Sequence, residues 1–147
     1  MKCPFCRSNQ TEVYNTRVTK FGTQLWRRRR CMSCHEAFTT YEAISLGFIR
    51  VRDQNAVTTT YSRAKLYSSL DQAFDGHQTA STTVDAVTDT IESKLLDLKS
   101  RSLTSTQISQ TILTTLKHFD TAAFLRYLAK HAQLRNNAEL KRQLKNF

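Results

Sequence analysis

No stretch of this 147-residue chain is apolar for long enough to span a bilayer. No apolar leader precedes the first cysteine either, because Met1-Lys2 runs straight into Cys3-Pro4-Phe5-Cys6. Neither a membrane protein nor an exported one is expected. The reading is of a cytoplasmic chain, in which thiols stay reduced and paired cysteines point to metal rather than to disulfides. Glycine is scarce, at 3 residues, and neither GxGxxG nor a P-loop string occurs, which removes the two commonest phosphate-cradling loops. Internal repeats and low-complexity tracts are absent as well. No grouping of nucleophile, base and acid is visible: His77 and His118 stand without clear partners and read as surface residues. An enzyme is therefore not expected.

Against these absences stands a crowded beginning. All 4 cysteines fall within the first 34 residues, as Cys3/Cys6 and Cys31/Cys34, and four arginines, Arg27 to Arg30, abut the second pair. A segment of about 40 residues is too small to be held by an apolar core and needs a staple. The net charge of +10 is unevenly spread. Residues 1–50 carry nine Lys/Arg against three acids, residues 51–125 seven against eight, and residues 126–147 six against one. Both ends are basic and the middle is ordinary. A basic first segment points to a polyanionic partner, most often nucleic acid; the plain alternative is a charge kept for solubility.

Up to residue 42, short β-prone runs alternate with turn signals. Glu12 to Val18 reads as a strand, Lys20-Phe21-Gly22-Thr23 as a hairpin tip, and Thr23 to Arg30 as the return strand. Strand alternation puts Leu25 and Arg27 on one face and Trp26 and Arg28 on the other. Phe38 to Tyr41 reads as a third strand. Residues 43–48 form a connector. Phe48–Arg52 and Val57–Tyr61 read as a hairpin around Asp53-Gln54-Asn55-Ala56. Helical spacing follows: Ser62 as N-cap with Leu66, Leu70, Ala73 and Phe74 on one face, ending at Gly76; Val84, Val87, Ile91, Leu95 and Leu98 from near Ser81; Ile108, Ile112 and Leu116 from near Thr104; Phe124, Tyr127 and Leu128 from near Thr121. The expected class is α+β, a small antiparallel β module followed by a β-hairpin with about four helices.

Each C-x2-C can offer two sulfurs to one tetrahedral ion, and a 24-residue interval suits a hairpin that leaves one knuckle and returns to the other. Cys3, Cys6, Cys31 and Cys34 are thus expected to bind one structural Zn²⁺; an iron–sulfur centre and two disulfides are the alternatives. His35 reads as a neighbour of the site or a surface residue. Arginines on both faces of one strand suit phosphate contact and guanine recognition. Arg17, Lys20, Arg27, Arg28, Arg29 and Arg30 are the candidate DNA contacts, whereas Trp26 and Tyr14 are assigned to packing. The competing view has these arginines binding acidic groups in the second domain. Lys65, in a first helical turn beside a β-turn, is a candidate phosphate ligand because helix N-termini favour anions.

Cys3-Pro4-Phe5-Cys6, Arg27-Arg28-Arg29-Arg30-Cys31, and Cys34 followed by Phe38-Thr39-Thr40-Tyr41-Glu42 together resemble the NrdR family, bacterial transcriptional repressors of ribonucleotide reductase genes. The similarity continues through Tyr61, Lys65-Leu66, Val84, Ile91, Leu95, Ser105, Asp120, Ala123 and Arg126. It implies a zinc ribbon over residues 1–42 and an ATP-cone over 49–135, joined by the linker over 43–48; the charge count leaves a basic tail over 136–147. It further implies ATP and dATP as allosteric effectors, homo-oligomers that change with nucleotide, binding to double-stranded operator DNA in the nucleoid, and nucleotide contacts at Arg50, Val51, Arg52, Lys65, Arg126 and His131. The sequence departs from the family where Arg7 replaces a knuckle Gly, Asp53 a phosphate-binding Lys, Ala56 a turn Gly, Thr60 a Pro and His131 a Tyr. Two other functional readings compete: a ribbon that docks on RNA or protein, and a regulatory domain acting directly on a reductase.

Overall fold

The ribbon forms because short alternating runs can pair across a tight turn, with little apolar surface to bury. In the computed structural model, which describes residues 1–19, 22–74, 80–131 and 141, β1 (Thr11–Thr19), β2 (Gln24–Cys31) and β3 (Ala37–Ala43) make one antiparallel sheet in the order β1-β2-β3. Gly22 sits at φ +87° beside the hairpin tip, a conformation that glycine adopts without a Cβ penalty. Lys20, Gly76 and His77 lie outside the described residues.

The pairing register contains one irregularity. Val13 faces Arg29 and Asn15 faces Arg28, so Tyr14 is an extra residue in a β-bulge, which locally increases the twist. Simple alternation along residues 12–18 does not anticipate it.

The chain divides into two compact units, Met1–Ser45 and Leu46–Phe147. The second begins with a 3₁₀ turn, Leu46–Phe48, and has its own sheet in the order β5-β4-β6. There β4 (Arg50–Arg52) pairs antiparallel with β5 (Thr58–Thr60) and parallel with β6 (Ser102–Thr104). The sequence reading has no β6, because three residues with one apolar side chain carry no periodic signal. Four helices complete the unit: α1 (Arg63–Ala73), α2 (Ala80–Asp97), α3 (Ser105–Phe119) and α4 (Thr121–His131). Ser62 caps α1 by accepting from the Lys65 amide. Thr104 and Gln107 close a capping box at α3, and Asp120 caps α4 through the Ala123 amide.

The core of this unit joins Leu46, Ile49 and Leu103 from the sheet end to Leu66, Leu70, Val84, Val87, Ile91, Leu95, Ile112, Leu116, Phe124 and Leu128 from the helices. Burying each such side chain contributes about 1.5–3 kcal/mol. The hydroxyls caught inside are satisfied: Thr88 donates to the Val84 carbonyl at 2.6 Å, and Thr115 donates to Thr111 at 2.7 Å while accepting from Lys94 at 2.9 Å. Leu98, expected on the buried face of α2, is instead exposed. The helix stops at Asp97 and Lys99 turns at φ 50°, so Leu98 leaves the helical face before it can reach the core. A network ties the end of the hairpin to α2. Tyr61 donates to Glu92 at 3.0 Å, and Arg63 pairs with Asp89 at 2.8 Å and also with Glu92 and Asp85. The architecture is α+β: a three-stranded antiparallel sheet with a four-cysteine site, then a small mixed sheet with four helices.

Candidate metal centre and nucleic-acid interface

The two knuckles are built alike. The Arg7 amide donates to the Cys3 carbonyl at 3.0 Å, and the His35 amide donates to the Cys31 carbonyl at 3.0 Å. In return, the Cys3 amide donates to the Ser8 carbonyl at 2.8 Å and the Cys31 amide to the Glu36 carbonyl at 2.9 Å. Both Arg7 and His35 sit at φ 62°. This left-handed turn brings each C-x2-C pair round to one point, and the family glycine replaced by Arg7 falls where the backbone asks for one.

Cys3 and Cys31 are the only buried apolar-type side chains among the described residues of the first unit. The cysteines are therefore its core, and such a core holds only when an ion joins them. The four Sγ atoms lie within 4.8 Å of one another, with Cys3–Cys34 at 3.7 Å and Cys6–Cys31 at 3.5 Å. Sulfurs about 2.3 Å from one tetrahedral ion stand about 3.8 Å apart, so the cluster fits Zn²⁺ and leaves no position for a reacting water. The thiols are prepared unequally. The backbone at Cys34, resisted by burial and helped by the Ser33 amide at 3.4 Å, lowers Cys31 to about 6. At Cys34 the Glu36 backbone pulls downward, but burial and the surrounding sulfurs prevail and push it up to about 12.

The arginines of β2 are sorted by the register. Arg28 and Arg30 share a face with Arg17, Tyr14, Trp26, Thr39 and Tyr41, and Arg27 and Arg29 share the other with Val13, Val18, Leu25, Phe38, Thr40 and Glu42. On the first face Arg17 lies over the Trp26 ring at 5.7 Å and Arg30 over Tyr14 at 5.2 Å. Arg28 donates to the Tyr14 hydroxyl at 3.3 Å and to Thr39 at 3.0 Å. On the second face Arg27 pairs with Glu42 at 2.9 Å and Arg29 donates to Thr40 at 3.1 Å. Tyr14 is 51% exposed and does not serve as packing. The bulge turns its ring out under a guanidinium, a role that alternation alone could not reveal.

The candidate nucleotide residues are dispersed over the second unit. Arg50 and Arg52 share the exposed face of the small sheet with Thr58, Thr60, Ser102 and Thr104, and Arg50 donates to Thr60 at 3.1 Å. Val51 belongs to the opposite face and packs against the core. Lys65 is exposed in the first turn of α1. Arg126 donates to the Ala73 carbonyl at 3.2 Å, eight residues further along that helix and so about 12 Å away along its axis. His131 stacks on Tyr127 with ring centroids 4.2 Å apart, and partial burial together with Lys130 lowers its pKa. Asp53, in the place of the family lysine, accepts from the Asn55 and Val57 amides at 2.8 Å each. Its carboxylate thereby closes the turn, where Ala56 sits at φ 62°.

No helix among the described residues is long and apolar enough to cross a membrane. Residues 1–42 match the family model described as "Transcriptional repressor NrdR-like, N-terminal domain". Over 139 residues the chain is 36% identical to the transcriptional repressor NrdR of Herminiimonas arsenicoxydans, covering 95% of this chain and 89% of that one. It is 33% identical over 147 residues to the transcriptional repressor NrdR of Cupriavidus metallidurans, covering 100% of this chain and 95% of that one. With the NrdR of a Janthinobacterium strain it shares 37% identity over 139 residues, covering 95% and 90%. Their shared name describes regulation rather than catalysis. With this likeness running from the cysteine knuckles to the last helix, the chain belongs to the NrdR family of transcriptional repressors.

Proposed function

We propose that the chain is a zinc-dependent, nucleotide-regulated repressor that binds double-stranded DNA through its ribbon and acts on genes for ribonucleotide reductase. The observation that carries this reading is the strand Arg27–Arg30 on a metal-nucleated sheet, where only Arg27 forms an ion pair with a carboxylate among the described residues. Four adjacent guanidiniums with so little internal compensation suit phosphate oxygens, each contact releasing counterions. Zn²⁺ would be held by Cys3, Cys6, Cys31 and Cys34, and the contacts to the duplex would come from among Arg17, Lys20 and Arg27–Arg30. ATP and dATP would bind the second unit through residues among Arg50, Arg52, Lys65, Arg126 and His131, with Val51 left to the core, and shift the chain among homo-oligomers. Only some of these would present ribbons at the spacing of paired operator sites, in the cytoplasm at the nucleoid.

The test of the DNA assignment is Arg28→Ala with Arg29→Ala, read by anisotropy of a labelled promoter duplex. Binding should weaken at least tenfold while zinc content and nucleotide binding stay unchanged; unaltered DNA binding would remove the assignment. The regulatory assignment is tested by titrating ATP and then dATP while mass and promoter binding are followed together. A constant mass with constant promoter affinity under both nucleotides would refute it.

A further inference from the structure

The two faces of the ribbon hold their arginines in chemically different ways. An ion pair such as Arg27–Glu42 engages the edge of the guanidinium, where all its N–H donors lie. Arg27 is spent in this way, and its Nε is buried without a partner. On the same face Arg29 donates through Nε to Thr40, beside Thr16, and Val13, Val18, Leu25 and Phe38 surround them with side chains that have nothing to offer a phosphate. A guanidinium laid over an aromatic ring uses its flat face instead and keeps its edge free. Arg17 and Arg30 have Cζ atoms 5.7 Å and 5.2 Å from the Trp26 and Tyr14 ring centroids, within cation–π range, and Arg28 is steadied beside them by the Tyr14 hydroxyl and Thr39. Glu12 is the one acid in register with this face, opposite Arg30, and among the described residues it forms no ion pair.

We infer that the ribbon engages duplex DNA through one face only, that of Arg17, Arg28 and Arg30, and that Tyr14 and Trp26 are positioning residues that aim those guanidiniums at phosphate and guanine edges. This rests on the reading of the ribbon as DNA-binding and adds a polarity to it. Rings that hold the arginines in advance reduce the entropy cost of ordering them on binding. The opposite face, with its internal ion pair and apolar strip, points away from the duplex.

Two matched variants of the full-length zinc-loaded chain decide the matter. Arg28→Ala/Arg30→Ala and Arg27→Ala/Arg29→Ala remove the same charge from the same strand and differ only in the face they strip. Each is titrated onto a fluorescein-labelled mixed-sequence duplex over a range of KCl, with zinc content and Trp26 emission as folding controls. The Arg28/Arg30 pair should weaken binding at least tenfold and lower the slope of log K against log salt by about 1.8, which is about 0.9 for each phosphate no longer neutralised. The Arg27/Arg29 pair should change affinity less than about threefold. Equal weakening in both would overturn the one-face inference and leave the DNA reading standing. No weakening in either would overturn both. Tyr14→Leu, which alters no charge, should weaken binding about three- to tenfold at unchanged salt slope; unchanged affinity would remove the positioning role of the ring.

Discussion

The Arg27 guanidinium and the Glu42 carboxylate meet at 2.9 Å across β2 and β3, on the face of the sheet turned away from Arg28. Their side chains are 29% and 57% exposed, so solvent screens the pair and its contribution to stability is under about 1 kcal/mol. Glu42→Gln is therefore expected to lower the unfolding midpoint only slightly. The salt slope of DNA binding should stay that of the parent, since Arg27 gains an exposed edge on the wrong face. Denaturant unfolding and salt titration of the same preparation check both halves.

Arg7 and His35 both carry φ 62°, which costs a residue with a Cβ about 1 kcal/mol or more relative to glycine. Arg7→Gly should raise the stability of the zinc-bound ribbon by about 0.5–1 kcal/mol, with part of the gain offset by the entropy of a freer unfolded chain. Ala56→Gly should behave likewise in the hairpin turn of the second unit. Thermal melts of the two single variants and their double give the check, and the effects should add because the sites lie in separate units.

Metal removal should unfold one unit and spare the other. Chelation would deprive Met1–Ser45 of the ion that the four cysteines are proposed to share, whereas Leu46–Phe147 keeps an apolar core of its own. Trp26 is the single tryptophan, so its emission reports the ribbon alone. A red shift of that emission with retained helical circular dichroism is the expected result. Acid should do the same, because thiolates are the ligands.

Burial, with Glu92 adding to it, raises the Tyr61 phenol well above its ordinary value of 10.0. The folded state thus favours the neutral ring. This contribution is complete below the unfolded pKa near 10 and is lost as pH climbs above it. Tyr61→Phe should cost about 1 kcal/mol at neutral pH through the hydrogen bond to Glu92 and should flatten the alkaline fall in stability. Tyr127, also raised by burial, leaves part of that fall in place. Unfolding curves across the alkaline range measure the difference.

Most of the ribbon was legible in the residues, because its determinants are local. Two C-x2-C pairs mark one four-cysteine cluster, alternation separates Arg27 from Arg28, and a hairpin of that length can close only on itself. The helices of the second unit were equally plain wherever apolar residues recur at helical spacing, as at Val84, Val87, Ile91 and Leu95, and Ser62 and Thr104 mark where two of them begin. What escaped depends on partners far along the chain. Leu103 becomes strand only by pairing with Val51, and Leu46 joins the core from a segment that reads as connector.

The sequence by itself determined the four-cysteine cluster, the positive charge of the ribbon and the α+β order of elements, since each follows from residue type and spacing. The tertiary structure decided how that charge is held. A single bulge at Tyr14 turns one ring under Arg30, pairing of β2 with β3 gives Arg27 to Glu42, and helix α1 keeps Lys65 about 12 Å from the carbonyl that holds Arg126. Identical guanidiniums acquire different roles only when folding supplies each with its neighbour.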